Sequence, residues 1–375
     1  MKIIARDFQS GIPHEYSVEN ERFEEIQAID TDDAGKLPWI APGLFDVQVN
    51  GFGGVDFNNP ITRDDWQQAN AQLAGHGCTH FLATLITNAR GNYRELLEGL
   101  KNLRSEDSGL CRGYHMEGPF LNPDSGTRGA HNSEWMTAAD LSLLSEWQEI
   151  SGNEIRLITL APEIEPGRSL PFIQKAVADG IGISLGHSLA RGEILKQAIA
   201  TGAGCWTHLG NAIGKFTDKF DNVLFHVLGA DNIRASLIPD GIHIPPPAFH
   251  AMANSLGDRL ILTTDAMSAA GAPPGKYRLC QHEIVVGEDL VARTHEGRLA
   301  GSTLTPFDAV FNAAAMSEKP WPLFWEALST GPAKWLGVDH RLAAGLEASF
   351  CLLAPAPLPK LQATYLKGRR IFGDA

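Results

Sequence analysis

The chain has 375 residues, 43% of them hydrophobic and 20% charged, and a formal net charge of −13. That length can bury a large core, as one big domain or one with a satellite, and the composition is ordinary for a soluble globular protein. The negative balance argues against nucleic acid and anionic membranes as partners, because both need a cationic surface, while leaving room for an anionic small molecule held by local cations.

The N-terminal stretch "MKIIARDFQSG" reaches charge within a few residues and has no long apolar run. Neither a signal peptide nor a membrane span is read there, and a cytoplasmic location is expected. Residues 1–42 resemble short strands and turns. Short β-like apolar runs then recur, each closed by polar or Gly/Pro residues. They are "GLFDVQVNG" (43–51), "THFLATLIT" (79–87), "CRGYHMEG" (111–118), "IRLITLAPE" (155–163), "GIGISLGHS" (180–188), "GCWTHLGN" (204–211), "IRASLIPDGIH" (233–243) and "RLILTTDAM" (259–267).

Helical segments such as "TRDDWQQANAQLAGHG" and "NYRELLEGLKNLRSE" lie between them, several ending at a C-cap glycine. The stretch "EPGRSLP" reads as irregular. Eight strands alternating with helices predict parallel βα units closed into a (β/α)8 TIM-type barrel over 43–342. "HEIVVGEDLVARTHEGRLAGS" predicts a β-hairpin insertion around 280–300, after the eighth strand. Residues 343–375 return to strands and turns, so both chain ends are expected to build one small β-sandwich domain. The five cysteines are scattered, odd in number and form no C-x-x-C pair, which argues for buried thiols over disulfides or a zinc knuckle.

In a barrel of this kind, chemistry sits at the C-terminal ends of the strands. Those ends carry Gln48 and Asn50, Thr84, Glu117, Glu163, His187, His208, Asp240 with His243, and Asp265. Each alone is weak; the weight lies in their equivalent positions. One carboxylate and two imidazoles from three strands, Glu117, His187 and His208, form a ligand set for a catalytic zinc with an open position. Asp265 on the last strand is placed to act as a base.

The motifs "PGLFDVQVNGFGG", "HMEGPFLNP", "RGAHN", "LGHS", "THLGNAI", "PDGIH", "TTDAMSAAG" and "LAGSTLT" follow one another here as they do in N-acetylglucosamine-6-phosphate deacetylases. Over nearly its whole length the chain resembles that family of the amidohydrolase superfamily. The resemblance implies a barrel with a small β-sandwich, usually a homodimer, that removes the N-acetyl group of an amino-sugar phosphate. It implies Glu117, His187 and His208 as metal ligands, Asp265 as acid/base and His131 as the histidine that contacts the scissile carbonyl. It also implies Asn211, Ala212 and His243 as substrate contacts.

One divalent metal per subunit is implied, Zn2+ foremost, although the same donors accept Fe2+, Co2+ or Mn2+. Gln48 and Asn50 stand where many amidohydrolases carry His-x-His for a second metal. Neutral amides are poor ligands, so this position reads as vacated. The family commonly presents an arginine after the "THLGNA" loop, often reaching the neighbouring subunit's substrate. Here Lys219 falls at that position and Lys215 is close by, and lysine binds phosphate only as a point charge. That change keeps open an unphosphorylated N-acetylhexosamine, N-acetylgalactosamine-6-phosphate or another amide as substrate. A non-catalytic sugar-binding barrel is the reading from a different class, and an intact ligand-and-base set argues against it.

Overall fold

A computed structural model describes residues 1–106, 109–214, 218–356 and 358–373. Eight parallel strands form one sheet in chain order: Leu44–Val49, Cys78–Ile86, Cys111–Glu117, Ile155–Leu160, Gly182–Leu185, Cys205–Trp206, Arg234–Leu237 and Leu260–Leu262. Each predicted run overlaps one of them, the second strand starting one residue earlier than predicted. The sheet closes where Val49 of the first strand bridges Ala266 just past the eighth, with the Asn50 amide donating to the Ala266 carbonyl at 2.7 Å. A parallel strand needs a crossover, and helices such as Arg63–Gly75, Arg90–Ser105 and Gly192–Thr201 supply it. The first of these starts in a capping box, with the Thr62 side chain accepting from the Asp65 amide and Asp65 closing back on the Thr62 amide. All six residues of the first strand are buried, as expected for a barrel covered outside and filled inside.

Two local expectations change. Residues 165–171, read as irregular, instead open the helix Pro166–Ala178. Pro166 takes the first helical position, where its missing N–H costs nothing, and Pro171 lies on the exposed face, so the carbonyl it leaves unpaired meets water. The insertion after the eighth strand is a three-stranded antiparallel sheet, Gly275–Leu279, His282–Val286 and Ala292–Thr294, and so begins a strand earlier than the predicted hairpin.

Both chain ends join one seven-stranded sheet, in which Trp39–Pro42 pairs with Lys2–Asp7 on one side and Phe350–Ala354 on the other. Phe23 and Phe350 lie on strands separated by three others, yet their rings are 5.6 Å apart; the sheet curls around its own core of Tyr16, Phe23, Ile40 and Phe350. All five cysteines are buried, and none of them is joined in a disulfide. Among the described residues no helix is long and apolar enough to cross a membrane.

The end sheet is fastened beneath the barrel by a polar cluster in which His80 and His340 are buried and Arg112 and Glu347 partly so. Glu347 pairs with Arg112 of the third strand and lies 3.4 Å from His80 Nε2 of the second, while His340 packs its ring 4.3 Å from His80 and binds the Gly43 carbonyl. Burial opposes the charge on Glu347, but His80 and Arg112 outweigh it and hold this carboxyl below its usual range. Burial also holds His80 and His340 below the ordinary imidazole pKa, so both fold neutral. Below about pH 6.5 the unfolded chain binds protons at these histidines that the folded chain does not, so stability falls with falling pH, by about 1.4 kcal/mol per pH unit for each proton. Denaturant titrations at pH 7 and 5.5 are therefore expected to show a smaller pH difference in His340→Gln than in the wild type. An unchanged difference would rule out a neutral buried His340.

Candidate active site

The strand ends converge on a cavity of about 590 Å3, a size suited to a small ligand. Glu117 stands at the end of the third strand and is buried. Its Oε1 lies 3.0 Å from His208 Nε2 and 3.4 Å from His187 Nε2, and its Oε2 is 3.8 Å from His131 Nε2. The imidazoles of His187 and His208 outweigh the burial of Glu117 and keep its carboxyl well below the usual range. Three donors bound to one zinc at 2.0–2.2 Å would stand roughly 3.4 Å apart, a spacing that the distances from Glu117 Oε1 to His187 and His208 approach. Glu117, His131 and His187 also form a group that could hold an ion.

Hydrogen bonds to the far ring nitrogens separate these alternatives. His187 Nδ1 is 2.7 Å from the Thr127 carbonyl, which can only accept, so Nδ1 carries the proton and Nε2 turns a lone pair inward. His131 Nδ1 lies 2.8 Å from Thr87 Oγ1, a hydroxyl that can give or take a proton, and 3.3 Å from the Thr87 backbone N–H, which can only donate, so Nδ1 accepts. In the neutral ring its proton is then on Nε2, which faces the cavity as a donor. Burial, reinforced by His187, holds the His131 pKa down at about 3, so the ring is neutral. His187 thus presents a lone pair to the cavity, and His131 presents an N–H. His208 has its Nδ1 buried without a partner in the described structure, and its backbone N–H is fixed by Ser236 Oγ at 2.8 Å.

Asp265 lies just past the eighth strand. Its Oδ1 accepts from Gln48 Nε2 at 3.0 Å and Asn50 Nδ2 at 2.8 Å. Gln48 Nε2 also donates to Glu117 Oε1 at 2.9 Å, and its own Oε1 accepts from Thr207 Oγ1 at 2.7 Å. The two amides of the first strand therefore hold the two carboxylates in place, which accounts for polar side chains in an otherwise apolar strand. Among the described residues, Oδ2 of Asp265 receives no protein hydrogen bond. Burial, with the charge of Glu117 added, raises the Asp265 pKa to about 6.

Backbone strain gathers here. His187, His208, Ala212 and Asp265 have φ of 49°, 31°, 52° and 50°, a left-handed conformation that side chains other than glycine rarely adopt and that clusters at functional sites. Gly186, which precedes His187, allows a close approach: a Cβ there would lie 2.3 Å from Thr207.

Asn211, Ala212 and His243 line the cavity, with His243 Nδ1 held by Asp240 at 2.6 Å. Lys219 does not line it. It is exposed, with Nζ 5.4 Å from the centre of the Phe220 ring. Lys215 lies outside the described residues. Glu163 is also spent elsewhere, accepting from Asn122, Ser188 and the Leu189 amide. Sequence reasoning missed the wall formed by Leu279 and Arg298 to Gly301 of the insertion. The motif "LAGSTLT" was visible, but strand-end logic does not reach an insertion. Gly301 is required there: its φ is +63° and a Cβ would lie 2.9 Å from the Asp265 carbonyl.

A closed parallel barrel with a buried carboxylate, imidazoles and an aspartate at its strand ends defines an amidohydrolase-type site. No family model matches the chain. It is 31% identical to N-acetylglucosamine-6-phosphate deacetylase of Vibrio furnissii over 341 residues, covering 90% of this chain and 84% of that one. It is 31% identical to the Homo sapiens enzyme of the same name over 372 residues, covering 93% and 87%. Among solved structures, a mutant N-acetyl-D-glucosamine-6-phosphate deacetylase of Mycobacterium smegmatis, in complex with N-acetyl-D-glucosamine-6-phosphate, superposes with a TM-score of 0.87 at 26% identity over 99% of each chain. A 5-methylcytosine deaminase of Klebsiella pneumoniae shares the fold at a TM-score of 0.63 and 14% identity, over 100% of this chain and 98% of that one. This chain belongs to the N-acetylglucosamine-6-phosphate deacetylase family.

Proposed function

We propose that this protein hydrolyses the acetamide of N-acetylglucosamine-6-phosphate to glucosamine-6-phosphate and acetate. The observation that carries the mechanism is Asp265: a buried carboxylate with one oxygen fixed by two amides and the other free, facing a donor cluster in one cavity. Glu117, His187 and His208 would hold a divalent cation, which supplies Lewis acidity for the acetyl carbonyl and makes a water more acidic. Asp265 Oδ2 takes a proton from the attacking water as its oxygen bonds to the carbonyl carbon. His131 Nε2–H donates to the developing oxyanion. Asp265 then returns the proton to the amine nitrogen as the C–N bond breaks. Gln48 and Asn50 keep both carboxylates oriented throughout, in place of ligands for a second metal.

Asn211, Ala212 and His243 are assigned to the sugar phosphate, with Asp240 orienting His243. The same reading takes Zn2+ as the metal, a homodimer as the assembly, the cytoplasm as the compartment, and 1–42 with 343–375 as a small β domain apart from the 43–342 barrel. Lys219 lies outside the cavity of its own chain, so any substrate contact from it would have to cross to a neighbouring subunit.

The test is acetate release by metal-replete protein with N-acetylglucosamine-6-phosphate, N-acetylglucosamine and their galacto epimers. Fastest turnover of the phosphorylated gluco sugar is expected. Fastest turnover of a neutral sugar would favour the unphosphorylated reading that the position of Lys219 keeps open. No acetate from any of them would overturn the proposed function.

A further inference from the structure

A sugar phosphate brings a dianion to a protein of net charge −13, into a cavity that already holds Glu117 and Asp265. Such a site needs a cation on its wall. Among the described lining residues the only lysine or arginine is Arg298, and it comes from the insertion, not from a strand end.

Its backbone is pinned on both sides. The Thr294 amide donates to the Arg298 carbonyl at 2.9 Å, the Arg298 amide donates to Thr294 Oγ1 at 3.3 Å, and Arg293 bridges Leu299. Four residues on, the Ser302 amide donates to the Asp265 carbonyl at 2.9 Å, so the Arg298 segment is tied directly to the catalytic strand end. The side chain is half exposed, with Nε 3.2 Å from Glu296 Oε2. That contact steadies one edge of the guanidinium and leaves the two terminal nitrogens without a protein partner among the described residues. A free pair of parallel N–H donors matches two phosphate oxygens.

We propose that Arg298, supplied by the same chain through the insertion, is the phosphate-recognising cation of this enzyme, in place of Lys219. The inference rests on the proposed reaction and adds the residue that selects for the phosphorylated substrate. The insertion thereby sets specificity, while the barrel strand ends carry the chemistry. Because Glu296 competes for the guanidinium, Glu296→Gln should free it and tighten phosphate binding.

The experiment compares wild type, Arg298→Ala, Arg298→Gln and Lys219→Glu, each assayed for acetate release from N-acetylglucosamine-6-phosphate and N-acetylglucosamine. Both Arg298 variants are expected to raise KM for the phosphorylated sugar at least 10-fold, leave kcat within 3-fold, and leave kcat/KM for the neutral sugar unchanged. Lys219→Glu should change neither substrate by more than 3-fold. Equal losses on both sugars, or a phosphate-selective loss in Lys219→Glu but not at Arg298, would overturn the proposal and leave the reaction standing. A wild type inactive toward the phosphorylated sugar would overturn both.

Discussion

Replacing Asp265 with Asn is expected to lower kcat by about 10^3-fold, within the range that a positioned acid or base contributes. The substitution is conservative in shape. The asparagine oxygen can still accept from Gln48 and Asn50, which both address Oδ1, while its NH2 group replaces Oδ2. What disappears is the Asp265 oxygen that is free to take and return a proton. Metal content and KM should stay within a few-fold of wild type. Turnover by rapid acetate assay, with bound metal measured on the same samples, checks this; a near-native kcat would remove Asp265 from the proton pathway.

Removing the metal is expected to abolish turnover and to lower thermal stability. His187 Nε2 and His208 Nε2 both converge on Glu117 Oε1 in a buried site, and a cation bound there stabilises the folded chain by mass action. Dialysis against a chelator should leave activity below about 1% of the starting value, and adding Zn2+ should restore most of it. Glu117→Gln should lose bound metal even in excess Zn2+, because a neutral amide is a weak ligand. His131→Asn should keep its metal and lose kcat, since His131 Nδ1 already accepts from Thr87 and Nε2 points inward as a donor. Metal loss in His131→Asn equal to that in Glu117→Gln would instead make His131 a ligand.

These expectations differ in how far the sequence alone could carry them. The eight strands were legible because strand length, apolar content and closing Gly/Pro residues are local properties. The convergence of Glu117, His187, His208 and Asp265 on one cavity was legible because parallel strands of a barrel deliver their C-terminal ends to one face, so position on each strand stands in for position in space. The helix at Pro166 was not legible, because two prolines near its start look like a break until their positions in the first turns are known.

Gln48 and Asn50 show where local reading stops. Their sequence marks two amides on one face of a strand; only the closed barrel brings Glu117 and Asp265, 69 and 217 residues beyond Gln48, within hydrogen-bonding distance of its amide. The roles of His131 and His187 likewise depend on which atom of Thr87 or Thr127 meets the far nitrogen of each ring. Arg298 enters the cavity through an insertion whose strand count and path no periodicity encodes. The sequence by itself determined the barrel, its order of strands and which side chains stand at the strand ends, since these follow from local pattern and parallel topology. The tertiary structure alone decided which nitrogen carries a proton, which oxygen stays free and which cation lines the pocket, because each is set by contacts between residues distant in the chain.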